Sequence, residues 1–439
     1  MQINIPIEKL TWALVIPTYK REAVLRRCLG FAAAQTYPPK EIIVVDATPD
    51  GEQTQAYIMH ELAVKYPTID WQYLPAKRAS SSAQRNQGIA LATADIIFLI
   101  DDDSFMYPDC AEEVIRIYAQ DTTHQVAGIM PKLEILQPDN QLHPCANHFK
   151  KNNANAFFQQ FKILQIKLRA FAKRLIKDDD IFIPYDLTFP KYTLPNTLKH
   201  LATHPVPMIH GARMSFRRYI LAQIHFEEAL ERYAVNEDND VCYRASRLGM
   251  LLHALKARLC HVESSQGRLT RLTTTALWGL NQTVLHRFHS SNLVEFKKRF
   301  RKLLWHRLFT QTIKDILDRR WTLPSTRGII VAFRHYESIL SKTPAELRAW
   351  YPQFQQTLIS QDKQEIINMA NNDQNSRDLD QSTKEQVVTG LSLQSADESA
   401  LENAEPWESW ETKLVLWSIL IGISGLVVLG TLINIFLLK

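Results

Sequence analysis

Short apolar runs alternate with segments of helical periodicity over the first 130 residues of the chain. The runs that predict buried strands are TWALVIPTY, KEIIVVDAT, WQYLPA and DIIFLIDDD. Between them lie EAVLRRCLGFAAAQ, QTQAYIMHELAVKY and QRNQGIALATA, in which apolar positions recur at helical spacing. Strands that alternate with helices predict an α/β layer around a mostly parallel sheet. In such sheets ligands bind beyond the carboxyl ends of the strands, so polar residues at those ends are candidates for a site.

The composition is typical of a large folded protein. The chain has 439 residues, of which 46% are hydrophobic and 22% charged, and these values exclude general disorder and a small disulfide scaffold. The five cysteines are scattered and form no CxxC pair, which favours a reducing compartment over a zinc ribbon or a redox dithiol. The N-terminus lacks a basic region followed by an apolar stretch, so we expect no secretory signal.

Charge is unevenly distributed along the chain. Residues 361–412 contain 12 acidic and 3 basic residues and few aromatic ones, and this composition predicts a flexible linker. Residues 266–336 contain 14 basic and 3 acidic residues. Within them KKRFRKLLWHRLF predicts a basic amphipathic helix, which favours a membrane surface as partner over nucleic acid. The apolar residues at helical spacing are Phe296, Phe300, Leu303, Leu304 and Leu308.

The C-terminal segment predicts a membrane anchor. From Leu414 to Leu438 the chain has 25 residues without a charge, and about 20 apolar residues suffice to cross the core of a bilayer. Trp407 and Trp410 lie just before this segment, where interfacial aromatic residues are common. We therefore expect a single-pass membrane protein with an anchor at residues 413–439.

Three adjacent carboxylates, Asp101, Asp102 and Asp103, follow the apolar strand IIFLI. Adjacent carboxylates repel one another unless a cation neutralises them, and hard divalent cations prefer oxygen ligands. Asp101 and Asp103 are therefore a candidate site for a divalent metal, Mn²⁺ or Mg²⁺, that carries a diphosphate. The alternative is a turn before the next helix, although Asp109 is better placed to cap that helix.

Other polar residues have two interpretations when the residues are considered alone. Asp46 ends the strand IIVVD and either binds a ligand or begins an Asx turn. Arg85 precedes a helix and either pairs with a phosphate or is a solvated basic residue. Glu237 and Asp238 in VNEDNDVCYR are either part of a charged helix start or include a general base. His261 is either a metal ligand or a loop histidine.

Six blocks then occur in a fixed order over about residues 12–265. They are VIPTYKRE, EIIVVDATPDG, RNQGIALATADIIFLIDDD, HGARMSFRR, NEDNDVCYR and CHVES. This series resembles the family 2 glycosyltransferases, which have the GT-A fold. The resemblance implies an inverting, metal-dependent enzyme that moves a sugar from a nucleotide-diphosphate-sugar to an acceptor hydroxyl, in cell-surface polysaccharide or glycolipid synthesis. The sequence departs from the family at Ala47, where many members have a second Asp. Contacts to the nucleobase of the donor are therefore expected to differ.

The resemblance also implies roles for individual residues. Asp238 would be the catalytic base, with Glu237 as the alternative, and Asp101, Asp103 and His261 would hold the metal. The expected nucleotide-sugar-binding residues are Pro17, Thr18, Tyr19, Arg21, Asp46, Arg85, Asp101 and Asp102.

These expectations divide the chain into four parts. They are a GT-A catalytic domain (1–265) with an expected acceptor-side insertion (135–208), a basic helical membrane-proximal region (266–360), an acidic linker (361–412) and a transmembrane anchor (413–439). The expected partners are a nucleotide-sugar donor, a glycan or lipid-linked acceptor and the membrane, but not nucleic acid. Nucleotide-sugars are made in the cytosol, so the catalytic domain is expected on the cytoplasmic side.

Two alternative functions follow from the same residues. A sugar-phosphate nucleotidyltransferase also uses acids and a metal around a nucleotide, but it would be expected to have a glycine-rich phosphate loop, which VIPTYKRE lacks. A catalytically inactive, membrane-tethered binding or scaffold protein is the other alternative, and the presence of both acidic sites in one chain argues against it.

Overall fold

A nine-stranded sheet organises residues 12–261. The structure, a computed structural model, describes residues 10–139, 182–262, 264, 268–362 and 364. The strands are β1 (Trp12–Thr18), β2 (Glu41–Asp46), β3 (Asp70–Pro75), β4 (Ile96–Ile100), β5 (Ser104–Met106), β6 (Val126–Glu134), β7 (Thr203–Val206), β8 (Arg213–Arg217) and β9 (Met250–His261). The helices are α1 (Glu22–Ala33), α2 (Glu52–Tyr57), α3 (Ala63–Lys65), α4 (Ser81–Ile89), α5 (Cys110–Gln120), α6 (Arg218–Gln223), α7 (Glu237–Ser246), α8 (Arg271–His289), α9 (Leu293–Leu317), α10 (Pro324–Ser341) and α11 (344–362). A π-helical turn, Ile58–Leu62, joins α2 to α3, and a short 3₁₀ helix spans Asn196–Leu198.

The first part of the sheet is parallel and confirms the predicted alternation of strands and helices. Strands β3, β2, β1 and β4 lie in this order, and each pairs in parallel with its neighbour. Every residue of β2 and β4 is buried, as expected of strands covered by helices on both faces. The carboxyl ends of β1, β2 and β4 therefore lie at one edge of the sheet.

The second part of the sheet shows that the expectation of a mostly parallel sheet was wrong. Strand β8 is antiparallel to β4 and β6, and β5 and β7 are antiparallel to β9, while β6 and β9 pair in parallel. Antiparallel neighbours need no crossover helix. In addition, β5, β7 and β8 are three to five residues long, which is too short for a clear periodic signal.

Side chains alternate along β1 and separate two apolar cores. Leu14 and Ile16 pack with residues of α1 and α5 on one face of the sheet. Val15 packs on the opposite face, in a core that includes Ile89 of α4 and Val241 of α7. Period-two alternation thus places α4 and α7 on the same face, beside the carboxyl ends of the strands.

Two local expectations about helix starts are corrected. Helix α4 begins at Ser81, before the predicted QRNQG, because the Ser80 hydroxyl accepts a hydrogen bond from the N–H of Ala83 and caps the helix. Asp109 precedes α5 but makes no side-chain cap hydrogen bond. One of its oxygens lies 3.4 Å from Nη2 of Arg258 on β9 instead.

Helices α8 to α11 confirm that the basic stretch is helical, but four of the five apolar residues at helical spacing on α9 are covered by protein. Phe296, Phe300, Leu303 and Leu304 of α9 are buried in a core shared with α8 and α10. The rings of Phe300 and Tyr336 of α10 lie 5.9 Å apart. The helical spacing of these four residues is therefore explained by packing within the chain.

The predicted membrane localisation is also corrected. Among the helices of the described residues, none combines the length and the apolar character that crossing a bilayer requires. The predicted anchor (413–439) lies outside the described residues, as do the linker beyond Gln364 and residues 140–181 of the predicted insertion. On this finding we withdraw the prediction of a single-pass membrane protein.

Candidate active site

Polar side chains from three strand ends and two helices meet at one edge of the sheet. Thr18 ends β1, Asp46 ends β2, and Asp101 directly follows β4. Helix α4 contributes Arg85 and helix α7 contributes Asp238, both from the same face of the sheet. The structure therefore brings together residues that are up to 220 positions apart in the chain.

Asp101, Asp103 and His261 form a cluster whose ligand atoms all lie within 4.8 Å of one another. Nε2 of His261 is 3.0 Å from Oδ1 of Asp103 and 3.9 Å from Oδ2 of Asp101. The pairing of β5 with β9 creates this proximity, because Ser104 lies opposite His261 in the register. Oδ1 of Asp103 is buried and faces the imidazole of His261. Two carboxylates and an imidazole that lie this close together fit a divalent cation.

The middle carboxylate of the triplet points away from this cluster. Asp102 accepts hydrogen bonds from Oγ1 of Thr18 at 2.7 Å and from Nη1 of Arg21 at 3.0 Å, and all three side chains are buried. Burial raises the pKa of Asp102 to about 7, although Arg21 acts in the opposite direction. Burial would also raise the pKa of Asp103, but His261 and Arg21 outweigh it and lower that pKa overall. Thr18, Arg21 and Asp102, expected to bind nucleotide, are thus bonded to one another.

Arg85 joins the acids after β4 to those of α7. Its Nη2 donates to Oδ1 of Asp101 at 2.8 Å, and its Nη1 forms a salt bridge with Glu237. Glu237 also accepts hydrogen bonds from the hydroxyls of Ser81 and Ser82, both at 2.8 Å. Burial raises the pKa of Glu237 to about 7, while Arg85 and the two serines act to lower it. Both carboxylate oxygens of this buried residue are therefore engaged within the protein.

Asp238 lies next to Glu237 and has a different environment. It is half-buried, and its carboxylate accepts hydrogen bonds from the N–H of Gly211 at 3.0 Å and from the N–H of Asn239 at 2.9 Å. A Cβ at position 211 would lie 3.1 Å from Oδ2 of Asp238, so glycine permits this close approach. The main chain thus orients the carboxylate and leaves it accessible, as a general base requires.

A third acid of α7 has a structural role. Asp240 is fully buried and accepts hydrogen bonds from the hydroxyl of Tyr185 at 2.7 Å and from Arg244 at 2.5 and 3.0 Å. These contacts tie α7 to the segment that follows residue 181. The charged start of α7 therefore combines a structural acid with the two candidates for catalysis.

Asp46 forms the Asx turn that was one of its two interpretations. Its Oδ1 accepts from the N–H of Thr48 at 2.7 Å, and the hydroxyl of Tyr73 lies 3.1 Å from its Oδ2. Burial, followed by the charge of Asp46, raises the pKa of Tyr73. A Cβ at Gly51 would lie 1.9 Å from the Tyr73 hydroxyl oxygen, so Gly51 leaves room for this arrangement.

Pro17 and Tyr19 flank Thr18 and are partly exposed at the same edge. The guanidinium of Arg232 lies 5.8 Å from the centre of the Tyr19 ring. Their predicted contact with the nucleotide stays a prediction.

Several residues of the site were not recognised in the sequence. Ser81 and Ser82 hold Glu237, and Gly211 holds Asp238. The side chain of Gln84 donates to the carbonyl oxygen of Thr18 at 2.9 Å and to that of Val45 at 2.8 Å, which joins α4 to β1 and β2. The motif HGAR contains Gly211, so the resemblance pointed to its neighbourhood but not to its function.

The sequence model of the family described as "Glycosyltransferase like family 2" matches residues 11–302. The chain belongs to this family. The prediction of family 2 from the six blocks is therefore confirmed.

Individual relatives match a shorter part of the chain. The uncharacterized glycosyltransferase YwdF of Bacillus subtilis (strain 168) is 30% identical over 119 residues, which cover 27% of this chain and 42% of that protein. Hyaluronan synthase of Streptococcus pyogenes is 29% identical over 121 residues, which cover 26% of this chain and 28% of that protein. The matches thus span less than half the length of these curated relatives.

Solved structures are similar to more of this family 2 chain at lower identity. The mannosyltransferase PcManGT from Pyrobaculum calidifontis, in complex with GDP-Man and Mn2+, is 14% identical. That match covers 79% of this chain and 83% of PcManGT, with a TM-score of 0.39. S. aureus TarS 1-349 is 12% identical and has a TM-score of 0.35, with 75% of this chain and 92% of TarS covered.

Proposed function

We propose that the chain transfers a sugar from a nucleotide-diphosphate-sugar to an acceptor hydroxyl, with inversion at the anomeric carbon, in the synthesis of a polysaccharide. Membership of family 2 supports glycosyl transfer, and one similar protein is named as a hyaluronan synthase. The observation that carries the proposal is the meeting of the Asp101–Asp103–His261 cluster, Arg85 and Asp238 at the carboxyl edge of the sheet.

In this proposal Asp101, Asp103 and His261 hold a divalent cation, Mn²⁺ or Mg²⁺. Such a cation supplies positive charge that stabilises the nucleoside diphosphate as it leaves. Arg85 adds a fixed positive charge, since its guanidinium is held between Asp101 and Glu237. The proximity of the two carboxylates and the imidazole supports this assignment, because all three are suitable ligands for a divalent cation.

Asp238 is the proposed general base. As the acceptor oxygen attacks the anomeric carbon from the face opposite the diphosphate, the carboxylate of Asp238 takes the proton of the acceptor hydroxyl. The N–H groups of Gly211 and Asn239 orient this carboxylate, and its partial exposure allows an acceptor to reach it. Glu237, buried and bonded to three side chains, is instead the residue that positions Arg85.

The nucleoside end of the donor is proposed to lie at the ends of β1 and β2. Pro17 and Tyr19 are partly exposed there, and the Asp46–Tyr73 pair lies at the neighbouring strand end. Thr18, Arg21 and Asp102 form a buried group behind this edge, so they are proposed to support the site through their contacts with one another.

The proposed function is tested by a screen of nucleotide-sugars for binding and for slow hydrolysis, with Mn²⁺, with Mg²⁺ and with excess EDTA. We expect one donor class to bind and to be hydrolysed when a divalent cation is present, and to lose both properties in EDTA. Absence of binding and hydrolysis for every nucleotide-sugar would reject a transferase. Transfer of a nucleotidyl group from a nucleoside triphosphate to a sugar phosphate would identify the alternative enzyme class.

A further inference from the structure

A cleft of about 1040 Å³ lies along α9. Residues 183, 184, 187–192 and 205–207 contribute to its lining, together with Leu303 and the cationic residues of α9. Two aromatic residues, Phe189 and Tyr192, take part. The remaining apolar lining is rich in proline, with Pro184, Pro190, Pro205 and Pro207. The cleft is therefore broad, and much of its surface consists of rigid rings.

The charged residues that line this cleft are all basic. They are Lys191, Arg299 and Lys302, with His306 beside them, and no acidic residue of the described chain lines the cleft. Lys191, Arg299 and Lys302 are exposed. Arg299 is bonded to Glu295, one turn earlier on α9, and one of its nitrogens lies 3.5 Å from the carbonyl oxygen of Leu187. A cleft lined by charges of one sign attracts ligands of the opposite sign.

The walls of the cleft are connected to the helix that carries Asp238. The ring of Phe189 lies 5.8 Å from that of Tyr243, in the middle of α7. The hydroxyl of Tyr192 donates to the carbonyl oxygen of Ser246, the last residue of α7, at 2.7 Å. Helix α7 begins with Glu237 and Asp238, so the two aromatic residues and the proposed base are held by one rigid element.

A second connection limits how far the cleft lies from the base. Pro207 lines the cleft, and Gly211, four residues later, donates its N–H to Asp238. Four residues span at most about 14 Å when fully extended. The Pro207 end of the cleft therefore lies within about 14 Å of Gly211, which holds Asp238.

We propose that this cleft binds the acceptor of the transfer reaction and that the acceptor is an acidic oligosaccharide. The inference rests on the proposed function. Aromatic rings offer flat apolar surfaces to the C–H faces of sugars, and a Tyr ring does so while its hydroxyl stays hydrogen-bonded. Lysine and arginine bind the anionic groups of an acidic sugar, and arginine does so with two parallel hydrogen bonds. The cleft thus combines the two kinds of contact that an acidic glycan needs.

The test compares two hexasaccharides, hexagalacturonate as the acidic probe and maltohexaose as the neutral one, by calorimetry with the full chain. We expect the acidic probe to bind at least about tenfold more tightly at low salt, and this preference to shrink as salt rises. Arg299→Gln combined with Lys302→Gln should remove most of the preference. Lys298→Gln combined with Arg301→Gln is the matched control, because both residues are exposed on α9 and neither lines the cleft.

The outcomes separate this inference from the proposed function. Equal binding of the two hexasaccharides, no binding of either, or equal losses in the two double variants would overturn the inference. Binding of vesicles that contain phosphatidylglycerol, without binding of hexagalacturonate, would assign the cleft to lipid and would also overturn it. Binding of a nucleotide-sugar by the same wild-type sample is measured in parallel. If that binding is present while the acidic preference is absent, the inference fails and the proposed function stands.

The reverse outcome rejects the proposed function, and with it the acceptor role of the cleft, but not the acidic glycan as its ligand. If the acidic hexasaccharide is preferred but no nucleotide-sugar binds, the ligand class of the cleft is supported and the transferase is not. The protein would then be a binding protein for acidic glycans.

Discussion

The buried salt bridge between Glu237 and Arg85 distinguishes the two adjacent acids of α7. Because Arg85 also donates to Asp101 at 2.8 Å, its guanidinium links α7 to the carboxylates that follow β4. Asp238, one residue later, is held by main-chain N–H groups and stays partly exposed. We infer that Glu237 is a positioning residue and that Asp238 is the residue that contacts the acceptor.

The first prediction follows from this difference. Asp238→Asn should lower the rate of sugar transfer by about 10²–10⁴-fold, the range expected for loss of a general base. Its binding of the donor should change little, because the amide keeps the size of the side chain and one acceptor oxygen. Single-turnover transfer and donor titration measure the two quantities separately.

Glu237→Gln, in contrast to Asp238→Asn, should reduce stability and donor binding. Loss of the carboxylate leaves Arg85 buried beside Asp101 alone, and breaking a buried ion pair typically costs about 3–5 kcal/mol of stability. We expect a lower free energy of unfolding and weaker donor binding, measured by urea unfolding and titration. Glu61→Gln, at an exposed position far from these acids in the chain, is the control for charge. Near-normal transfer by Asp238→Asn, together with a silent but fully stable Glu237→Gln, would exchange the two roles.

The second prediction concerns the metal. Asp103→Asn removes the negative charge of one potential ligand and His261→Ala removes another ligand altogether, so binding of Mn²⁺ to the chain without donor should weaken by at least about tenfold in each variant. Titration of Mn²⁺ followed by electron paramagnetic resonance measures this without reference to activity. Asp109→Asn is the matched control, since Asp109 lies near the same strand but outside the cluster. Equal Mn²⁺ affinity in His261→Ala and Asp109→Asn would exclude His261 as a ligand.

The strand-end part of the site could be predicted from the sequence because of one physical regularity. Apolar runs in a parallel sheet end sharply, and the polar residue that follows each run lies at the ligand edge. Asp46 and Asp101 could be placed there from the pattern alone, and the structure places them at that edge. The position of His261 could not be predicted in this way, because its proximity to Asp103 depends on the register of β5 against β9.

The contacts that distinguish Glu237 from Asp238 could not be predicted. Ser81 and Ser82 lie in the polar run SSSAQRN, which indicates a helix start but not the direction of the hydroxyl groups. They meet Glu237 because α4 and α7 pack on the same face of the sheet, and that is a tertiary relationship. The same limit explains α9, since periodicity cannot tell a face covered by other helices from one that meets a lipid surface.

The third prediction concerns acid stability. His286 is fully buried, its ring stacks on Phe296 at 3.7 Å, and Nε2 lies 2.8 Å from the carbonyl oxygen of Ile183. Burial lowers the pKa of His286 to about 3. In the unfolded chain its pKa is ordinary, about 6.5. Between these two values the unfolded state binds more protons, so the free energy of unfolding should fall as pH falls, by up to about 1.4 kcal/mol per pH unit.

His286→Phe tests this sign. In this variant, residue 286 should no longer contribute to the fall in the free energy of unfolding between pH 6.5 and pH 3. It should be less stable than the wild type near neutral pH, because the hydrogen bond to Ile183 is lost. The difference between the unfolding free energies of the two proteins should become smaller as the pH falls. His200→Phe is the control, because His200 is exposed. Urea unfolding at several pH values measures the slopes, and parallel slopes for wild type and His286→Phe would contradict the prediction.

The fourth prediction concerns the packing that holds α4 in place. A Cβ at Gly88 of α4 would lie 2.4 Å from Cγ1 of Val15 on β1, so alanine would force the helix away from the sheet. Overpacking of this kind typically costs about 1–3 kcal/mol. Because α4 carries Arg85, Gly88→Ala should weaken donor binding as well as stability.

Gly30→Ala is the matched control. Gly30 also lies in a helix, and no atom lies within 4 Å of a Cβ added there. Alanine at this position should stabilise the helix by about 0.5–1 kcal/mol without affecting donor binding. Equal unfolding free energies and equal donor affinities in the two variants would show that α4 does not depend on this contact.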